Sequence, residues 1–318
     1  MTLIKSLAVG IGFAALFAAY TLWFAAIGPR DDGYYLKILA SIQFTALMTG
    51  LLVLFCVPHL IFAVAKIGRE RIVDALAEQW PSMLRLSFWT LMGPALWTTA
   101  VVLLEPAPAT WLELGLVPLI TLVLGSVTDS KQPKHPSRGQ RVLVYFAAAL
   151  LIVGVAIIFV DISKPSFVGI SILISGLGAV STALAGSEIE RIAKRSEIPF
   201  SLILSSRFLV TAIVFSAVSL LLGSNLLLKS SIASLISWGI MFFVVPNFLY
   251  VYLIWQTNLR QSAYMWALLP IFISSGERLW GFYAPTLSTP ALLTSGALIL
   301  IGAVCNLLSQ QGASARKR

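Results

Sequence analysis

The sequence predicts an all-α membrane protein whose ten transmembrane helices form two inverted five-helix repeats, residues 1–160 and 161–318, packed as one bundle. Three observations carry this reading. The 318 residues are 58% hydrophobic and only 11% charged, with a mean hydropathy of +0.91, whereas soluble domains carry about a quarter charged residues. Apolar stretches of ~20 residues, each enough to cross a ~30 Å hydrocarbon layer, fill nearly the whole chain. A pair of prolines 24 residues apart occurs twice, Pro94 with Pro118 and Pro246 with Pro270, at an offset of 152 residues. Internal repeats of this kind fix an architecture before any local propensity does.

Span one, 3–27, has Lys5 ahead of its apolar run and looks at first like a signal peptide. Its apolar run is too long for a signal core of ~7–15 residues, and no small-residue cleavage site follows. Span two, 38–65, carries Gln43 and His59, and span three, 81–104, carries Pro94 with Trp89, Gly93 and Trp97 at successive fourth positions. Span four, 109–127, places Glu113 five residues before Pro118. After a polar, basic loop, span five, 142–160, contains AALLIVG at 148–154, which GALILIG at 296–302 in span ten mirrors at an offset of 148.

Span six, 166–186, is followed by a mixed-charge segment, Glu188 to Glu197, read as a cytoplasmic connector with local ion pairs. Span seven, 199–222, span eight, 232–255, span nine, 261–283, and span ten, 290–309, complete the second copy. Weaker matches pair Val9-Gly10-Ile11 with Val168-Gly169-Ile170 and Gln43-Phe44 with Arg207-Phe208. Loops of unequal length absorb the drift in offset.

With a cytoplasmic N-terminus, 17 of the 22 basic residues, Arg207 counted among them, fall on the cytoplasmic side or at its helix ends. Lysine and arginine in short loops set orientation, so both termini are expected in the cytoplasm. Five spans per copy is odd, and the second copy therefore enters the membrane the other way up. The net charge of +9 follows from this asymmetry and is no sign of nucleic-acid binding. The basic tail Arg316-Lys317-Arg318 suits anionic membrane lipid.

Cys56 and Cys305 both lie in spans and offer neither a disulfide framework nor metal-ligand spacing. The only histidines, His59 and His135, are isolated, and no phosphate loop or HExxH motif is present. No enzyme, metal or cofactor is expected.

Prolines inside helices remove a backbone hydrogen bond and crowd the preceding turn, so Pro94, Pro118, Pro246 and Pro270 are expected to act as hinges in spans three, four, eight and nine. Carbonyls freed in hydrocarbon are tolerated only against protein or water, which places these spans around a cavity. Ionisable groups inside spans mark pathways. Glu113 is the candidate proton-coupling group, and Glu277, next to Arg278, the candidate for attracting a cationic part of a substrate.

At about 100° per residue, Ser262, Trp266 and Glu277 share one face of span nine. Trp97 of span three and Asn247 and Tyr250 of span eight join them as candidate substrate contacts. Trp80 and Trp111, near predicted span ends, are assigned to the interfacial aromatic belt. Small residues at Ala148, Gly154, Gly296 and Gly302 permit close helix packing, within the chain or in a homodimer.

These residues carry a resemblance. LELGLVPLITLVLG, the basic loop and AALLIVGVAII, then SEIPFSLILSSRFLVTAIVF, SAYMWALLPIFISS and TPALLTSGALILIGAV, resemble the EamA family of the drug/metabolite transporter superfamily. SSGERLWGFYAP is similar to a stretch of its aromatic amino-acid exporters. The chain departs from the family at Gln43, where an arginine is common, and after span four, where Gly-Glu is replaced by GSVTDSKQPKHPSRGQR. The resemblance implies a ten-helix permease with spans three, four, eight and nine lining the cavity and spans five and ten outside it.

The function expected is inner-membrane secondary transport, the export of a small metabolite such as an amino acid or amphipathic cation, with possible proton coupling. Lipid-linked sugar flipping and a structural or regulatory role are the rival classes. Reporter fusions after Lys134 and Lys194 should read cytoplasmic and one after Lys229 external. An external signal at Lys134 would overturn the ten-span count and the inversion together.

Overall fold

A computed structural model describes residues 3–27, 34–104, 106–128, 138–161, 168–195, 198–222, 232–257, 259–280 and 287–315. Lys134, His135, Arg30, Lys164, Lys229 and the basic tail lie outside the described residues. The regular elements among the described residues are all helices. They are α1 (Leu3–Ile27), α2 (Tyr34–Ile67), α3 (Arg69–Leu104), α4 (Pro106–Leu114), α5 (Val117–Thr128), α6 (Arg138–Asp161) and α7 (Val168–Arg195) in the first part of the chain. The second part adds α8 (Phe200–Leu222), α9 (Ile232–Gly239), a π-helical turn (Ile240–Val244), α10 (Val245–Gln256), α11 (Leu259–Trp280) and α12 (Thr289–Ala315).

About ten helical stretches result, nine of them long and apolar enough to cross a membrane by length and hydropathy. The tenth is α11, whose 22 residues carry Arg260, Glu277 and Arg278 near their ends. Spans four and eight are each assembled from two shorter helices. Several helices outrun the apolar stretch, because helical propensity does not stop at the membrane surface. α3 begins at Arg69, 12 residues before the predicted span three, and α7 continues to Arg195. Gly68 separates α2 from α3 with φ of 95°, a left-handed conformation that glycine adopts without a Cβ penalty.

The four prolines divide into two kinds. Pro118 follows a break at Gly115 and Leu116, where Leu116 N–H bonds to Glu113 O at 3.2 Å in a tighter turn. A Cβ at Gly115 would sit 2.3 Å from Trp111 O, so only glycine fits that turn. Pro246 follows the π-helical turn, in which Val245 N–H reaches Ile240 O. Inserting one residue into the ladder is a common way to accommodate a missing donor. By contrast, α3 runs unbroken through Pro94 and α11 through Pro270. The four prolines expected as hinges thus sit in two settings: α3 and α11 keep their helical register through Pro94 and Pro270, whereas spans four and eight change theirs beside Pro118 and Pro246.

Packing follows from small residues and apolar stripes. The most extensive contacts join α6 to α12, α2 to α8 and α3 to α7, while α11 lies against α1, α4, α5 and α12. Gly154 of α6 faces Ser295 and Ile299 of α12, and Gly302 of α12 faces Ala147 and Leu151 of α6. Later residues of one helix meet earlier residues of the other, so α6 and α12 run antiparallel. Ser295 Oγ donates to Gly154 O at 2.6 Å, which fixes how closely the backbones approach. Ile38, Ser41 and Ile42 of α2 likewise lie beside Val218, Phe215 and Val214 of α8 around one recess.

A leucine at Gly154 or Gly302 would have to push α6 and α12 apart, since an added Cβ already falls 2.7 Å and 3.0 Å from its nearest neighbour atoms. Overpacking of this kind costs about 1–3 kcal/mol. Gly154→Leu and Gly302→Leu should each lower the unfolding temperature in detergent by several degrees. Gly139→Leu, where nothing lies within 4 Å, should leave it unchanged. Equal melting temperatures for all three would show that α6 and α12 are not held by these glycines.

Candidate functional site

A cavity of about 80 Å³ lies among α1, α2, α3, α4, α7, α8, the π turn, α10 and α11. Its polar wall is Thr45, Thr98, Glu113, Thr182, Arg207 and Asn247, and its aromatic wall includes Phe17, Tyr20, Trp97, Phe208, Phe243 and Trp266. These residues lie inside the apolar helices and away from their ends, with Phe17 and Tyr20 at residues 15 and 18 of 25 in α1 and Arg207 at residue 8 of 23 in α8. Such a space holds only two or three waters, well short of the ~300–1,000 Å³ of a ligand pocket. A solute can enter only if the surrounding helices separate.

Glu113 sits on the last turn of α4, with its side chain buried against α7. Gly178 makes this possible, because a Cβ there would fall 2.6 Å from Glu113 Cδ. One carboxyl oxygen, Oε2, has no hydrogen-bond partner, and no basic side chain among the described residues is paired with the carboxyl. A carboxyl in that state needs a proton, a water or a cation to complete it.

Arg207 reaches the cavity from α8 and is 8% exposed. Its Nε donates to Thr90 Oγ1 at 3.2 Å and its Nη1 to Asn247 Oδ1 at 3.4 Å. The guanidinium lies 4.8 Å from the ring centres of Phe208 and Tyr250, in cation–π contact. No described carboxylate forms an ion pair with it. Asn247 in turn donates from Nδ2 to Phe243 O at 2.9 Å, so the π turn and the guanidinium are linked through one amide.

The aromatic wall starts from α1, where Phe13, Phe17, Tyr20 and Phe24 form one stripe at helical spacing. Phe13 meets Tyr250 and Trp266, Phe17 and Tyr20 meet Trp97, and Tyr20 meets Phe243. The indole N–H of Trp97 and the hydroxyl of Thr45 are buried without a partner at this wall. Together with Glu113 Oε2 they leave donors and an acceptor available to a solute or to water.

The structure brings together Trp97, Glu113, Asn247 and Trp266 of the sequence candidates, and places Tyr250 directly behind Arg207. Two candidates lie elsewhere. Ser262 Oγ donates to Leu259 O at 2.8 Å within the first turn of α11. Glu277 Oε1 accepts from Ala107 N–H at 3.0 Å, at the opposite end of α11 from Ser262. A carboxylate is stabilised at a helix N-terminus by free N–H groups and the helix dipole, so Glu277 caps α4 and does not reach the cavity. Sharing a helical face with Trp266 is not enough when 11 residues separate them, about 16 Å along the axis.

Trp111 is also corrected. It is fully buried, and its Nε1 donates to Ser274 Oγ at 2.7 Å, tying α4 to α11 rather than lying in an interfacial belt. Trp80 is exposed as expected. Of the prolines, Pro94 lines the cavity itself. Spans one, two, six and seven contribute wall residues in addition to the expected three, four, eight and nine, and α6 and α12 contribute none. Gly154, Gly296 and Gly302 pack against neighbours inside the chain.

Arg207 is the main residue that sequence reasoning misplaced, by counting it with the cytoplasmic charges. It is the eighth residue of a 23-residue apolar helix, and that depth was the available signal. Gly178, Thr182 and Tyr20 carried none, because small and aromatic residues are common in every span.

Away from the cavity the helices carry separate polar ties. Arg85 Nε donates to Glu188 Oε1 at 2.8 Å and Arg191 Nη1 to the same oxygen at 3.1 Å, joining α3 to α7. Glu190 Oε2 accepts from Leu259 N–H at 2.9 Å and Glu190 also pairs with Lys194. Tyr264 OH donates to Ser6 O, which joins α11 to α1.

No family model matches the chain, and no curated protein does. Eleven solved chains share its fold. One is a protein known by its crystal structure, which superposes with a TM-score of 0.62 at 16% identity over the whole of both chains. Likeness at that identity concerns the fold alone.

Proposed function

We propose that the chain is a secondary transporter of the EamA type in a bacterial inner membrane, exporting a small metabolite by alternating access. The observation that carries this is a pair of buried ionisable groups, Glu113 and Arg207, on the wall of one cavity enclosed by apolar helices, neither with an ionic partner among the described residues. Charge inside a membrane is costly, ~2.5–3.5 kcal/mol on insertion scales, and is kept where it serves a pathway.

A solute with a carboxylate for Arg207, an amino group for Glu113 and an apolar or aromatic body for Phe17, Trp97 and Trp266 fits this wall. An amino acid satisfies all three, whereas an amphipathic cation leaves Arg207 uncompensated. Protonation of Glu113 offers the same neutralisation when no amino group is present, and this is the basis for coupling export to a proton gradient.

Two features support the inverted-repeat arrangement that alternating access uses. The helix pairings of the bundle survive exchange of each span for the one five further on: α6 pairs with α12, α2 with α8, and α3 with α7 as α10 does with α1. Gly154 and Gly302, matched in sequence, make matched contacts across the antiparallel pair α6 and α12.

Flux of radiolabelled amino acids in proteoliposomes tests the proposal. Wild type should move at least one carboxylate-bearing solute against its gradient when a proton gradient is imposed, and flux with none of a broad amino-acid panel would count against it. Glu113→Gln should abolish gradient-driven flux while solute exchange persists, because the amide mimics a permanently protonated carboxyl. Full gradient-driven flux in that variant would remove Glu113 as the coupling group.

Arg207→Gln should raise the half-saturating concentration for carboxylate-bearing solutes by roughly 10–100-fold, since a hydrogen bond to a charged group contributes ~1.5–3 kcal/mol. Amines lacking a carboxylate should be affected little. An equal loss for both kinds of solute would mean that Arg207 is structural.

A further inference from the structure

We propose that Glu113 exchanges its proton with the loop end of α7 through a file of water held by the hydroxyls of Ser171 and Ser175. This rests on the transport reading, with Glu113 as the group that carries the proton. It adds the route and names the face of the bundle the route leads to.

Ser171, Ser175, Gly178 and Thr182 follow one another along α7 at intervals of four, three and four residues. At about 100° per residue they fall within roughly 60° of one another, on a single face. Gly178 marks what that face meets, because the Glu113 carboxyl occupies the space its Cβ would take. Thr182 opens onto the cavity on one side of this point. Ser175 and Ser171 continue the stripe on the other side, toward Val168 at the start of α7.

Both serines are fully buried and both hydroxyls lack a hydrogen-bond partner. Thr45 and Thr211 share this state, but several other serine and threonine hydroxyls in helices do not. Thr21, Thr49, Thr98, Ser205 and Ser275 all donate to a carbonyl three or four residues back in their own helices. Ser175 has such a carbonyl available at Ser171 and does not use it. A buried hydroxyl left unmade costs about 1–3 kcal/mol, and water is the common partner for such groups.

The spacing suits water. Hydroxyls one helical turn apart are separated by ~6 Å, about the span of one water making two hydrogen bonds of ~2.8 Å. Three residues on from Ser175, the unpartnered Glu113 Oε2 lies 2.7 Å from where a Cβ of Gly178 would sit. The carboxyl gives its proton to the adjacent water, that water gives one of its own to the next hydroxyl or water in line, and the last member gives one to bulk water at the loop end, leaving Glu113 as the carboxylate. Only O–H bonds break and form, and no redox partner is needed.

The other ionisable groups on the cavity wall are Tyr20 of α1 and Arg207 of α8. Glu277 of α11 is held at the α4 N-terminus by Ala107 N–H. None of these lies on the α7 stripe. If α7 begins at the external surface, as the charge bias predicts, the file connects Glu113 to the outside, while the solute reaches Glu113 from the cavity.

The test uses the full-length protein in proteoliposomes with a trapped pH dye, comparing wild type with Ser175→Val, Ser171→Val and Ser175→Thr. Substrate-linked proton movement should fall at least tenfold in both valine variants and stay within about twofold in Ser175→Thr, while solute exchange is retained in all three. A flux-independent readout is hydrogen–deuterium exchange at the Glu113 carboxyl, followed by infrared spectroscopy with Glu113→Gln to assign the band. It should slow in Ser175→Val and be unaffected in Ser175→Thr.

Coupled flux and carboxyl exchange at wild-type rates in both valine variants would overturn the file and leave Glu113 as the coupling group. Loss of solute exchange together with coupling would also overturn it, because the serines would then be packing residues. Absence of proton movement in wild type itself would instead remove the coupling role on which the file depends. Should Ser175→Val fail to fold, Ser171→Val, one turn further from Glu113, carries the same comparison.

Discussion

Hydrocarbon cannot satisfy a polar group, and most of what is distinctive in this structure follows from that constraint. A continuous helix meets it automatically, since each N–H finds its own carbonyl. Where the chain departs from a continuous helix, a neighbour supplies what is missing. Pro118 and Pro246 each remove a donor, and the helix near each changes register, at Gly115 and Leu116 in one case and through the π turn in the other. Thr121 Oγ1 then donates to Pro118 O at 2.9 Å, and Asn247 Nδ2 to Phe243 O at 2.9 Å. Both breaks adjoin segments that line the cavity, so irregular backbone lies where protein or water surrounds it.

The same constraint explains how helix ends are handled. The amides of Ala107 and Leu259 both open short N-terminal turns, and both are met by a carboxylate, Glu277 in one case and Glu190 in the other. The two amides are 152 residues apart, the offset of the proline pairs. The carboxylates themselves are not related by that offset. Equivalent backbone positions have thus acquired equivalent solutions from different parts of the sequence. Both ties use a carboxylate to accept from a backbone amide at a helix start, a kind of hydrogen bond stronger than a neutral pair.

How much of this was legible in the sequence depends on whether a residue's signal was local or relational. Apolar length gave about ten helices, and the paired prolines located the irregular segments, because both are properties of one stretch of chain. Glu113 was legible for the same reason: a carboxyl among tryptophan and leucine is anomalous by itself. Glu277 was misassigned because its role is fixed by Ala107, 170 residues away. Trp111 was misassigned because distance from a predicted span end said nothing about α11 lying over it. Arg207 was visible as a charge in an apolar helix, yet a count of sides gave it to the cytoplasm. Its position inside the apolar helix was readable, but its contacts with Tyr250 and Asn247 became clear only when α8 was placed beside α10.

The two charged groups of the cavity also show how a repetitive bundle can hold a site that is not repetitive. At the proline offset, Glu113 corresponds to Met265, and in the weaker match Arg207 corresponds to Gln43. Each half of the chain therefore brings one ionisable group, and the matching position in the other half is uncharged. A solute that touches both groups bridges the halves, so any relative movement that opens the cavity must alter one contact before the other. On the proposed transport reading, a cavity of about 80 Å³ makes that movement a condition of loading. With identical groups in both halves, neither contact would be distinguished by chemistry. With a carboxyl on α4 and a guanidinium on α8, solute charge and proton occupancy act on different helices, and exchanging a solute amino group for a proton at Glu113 leaves the Arg207 contact in place.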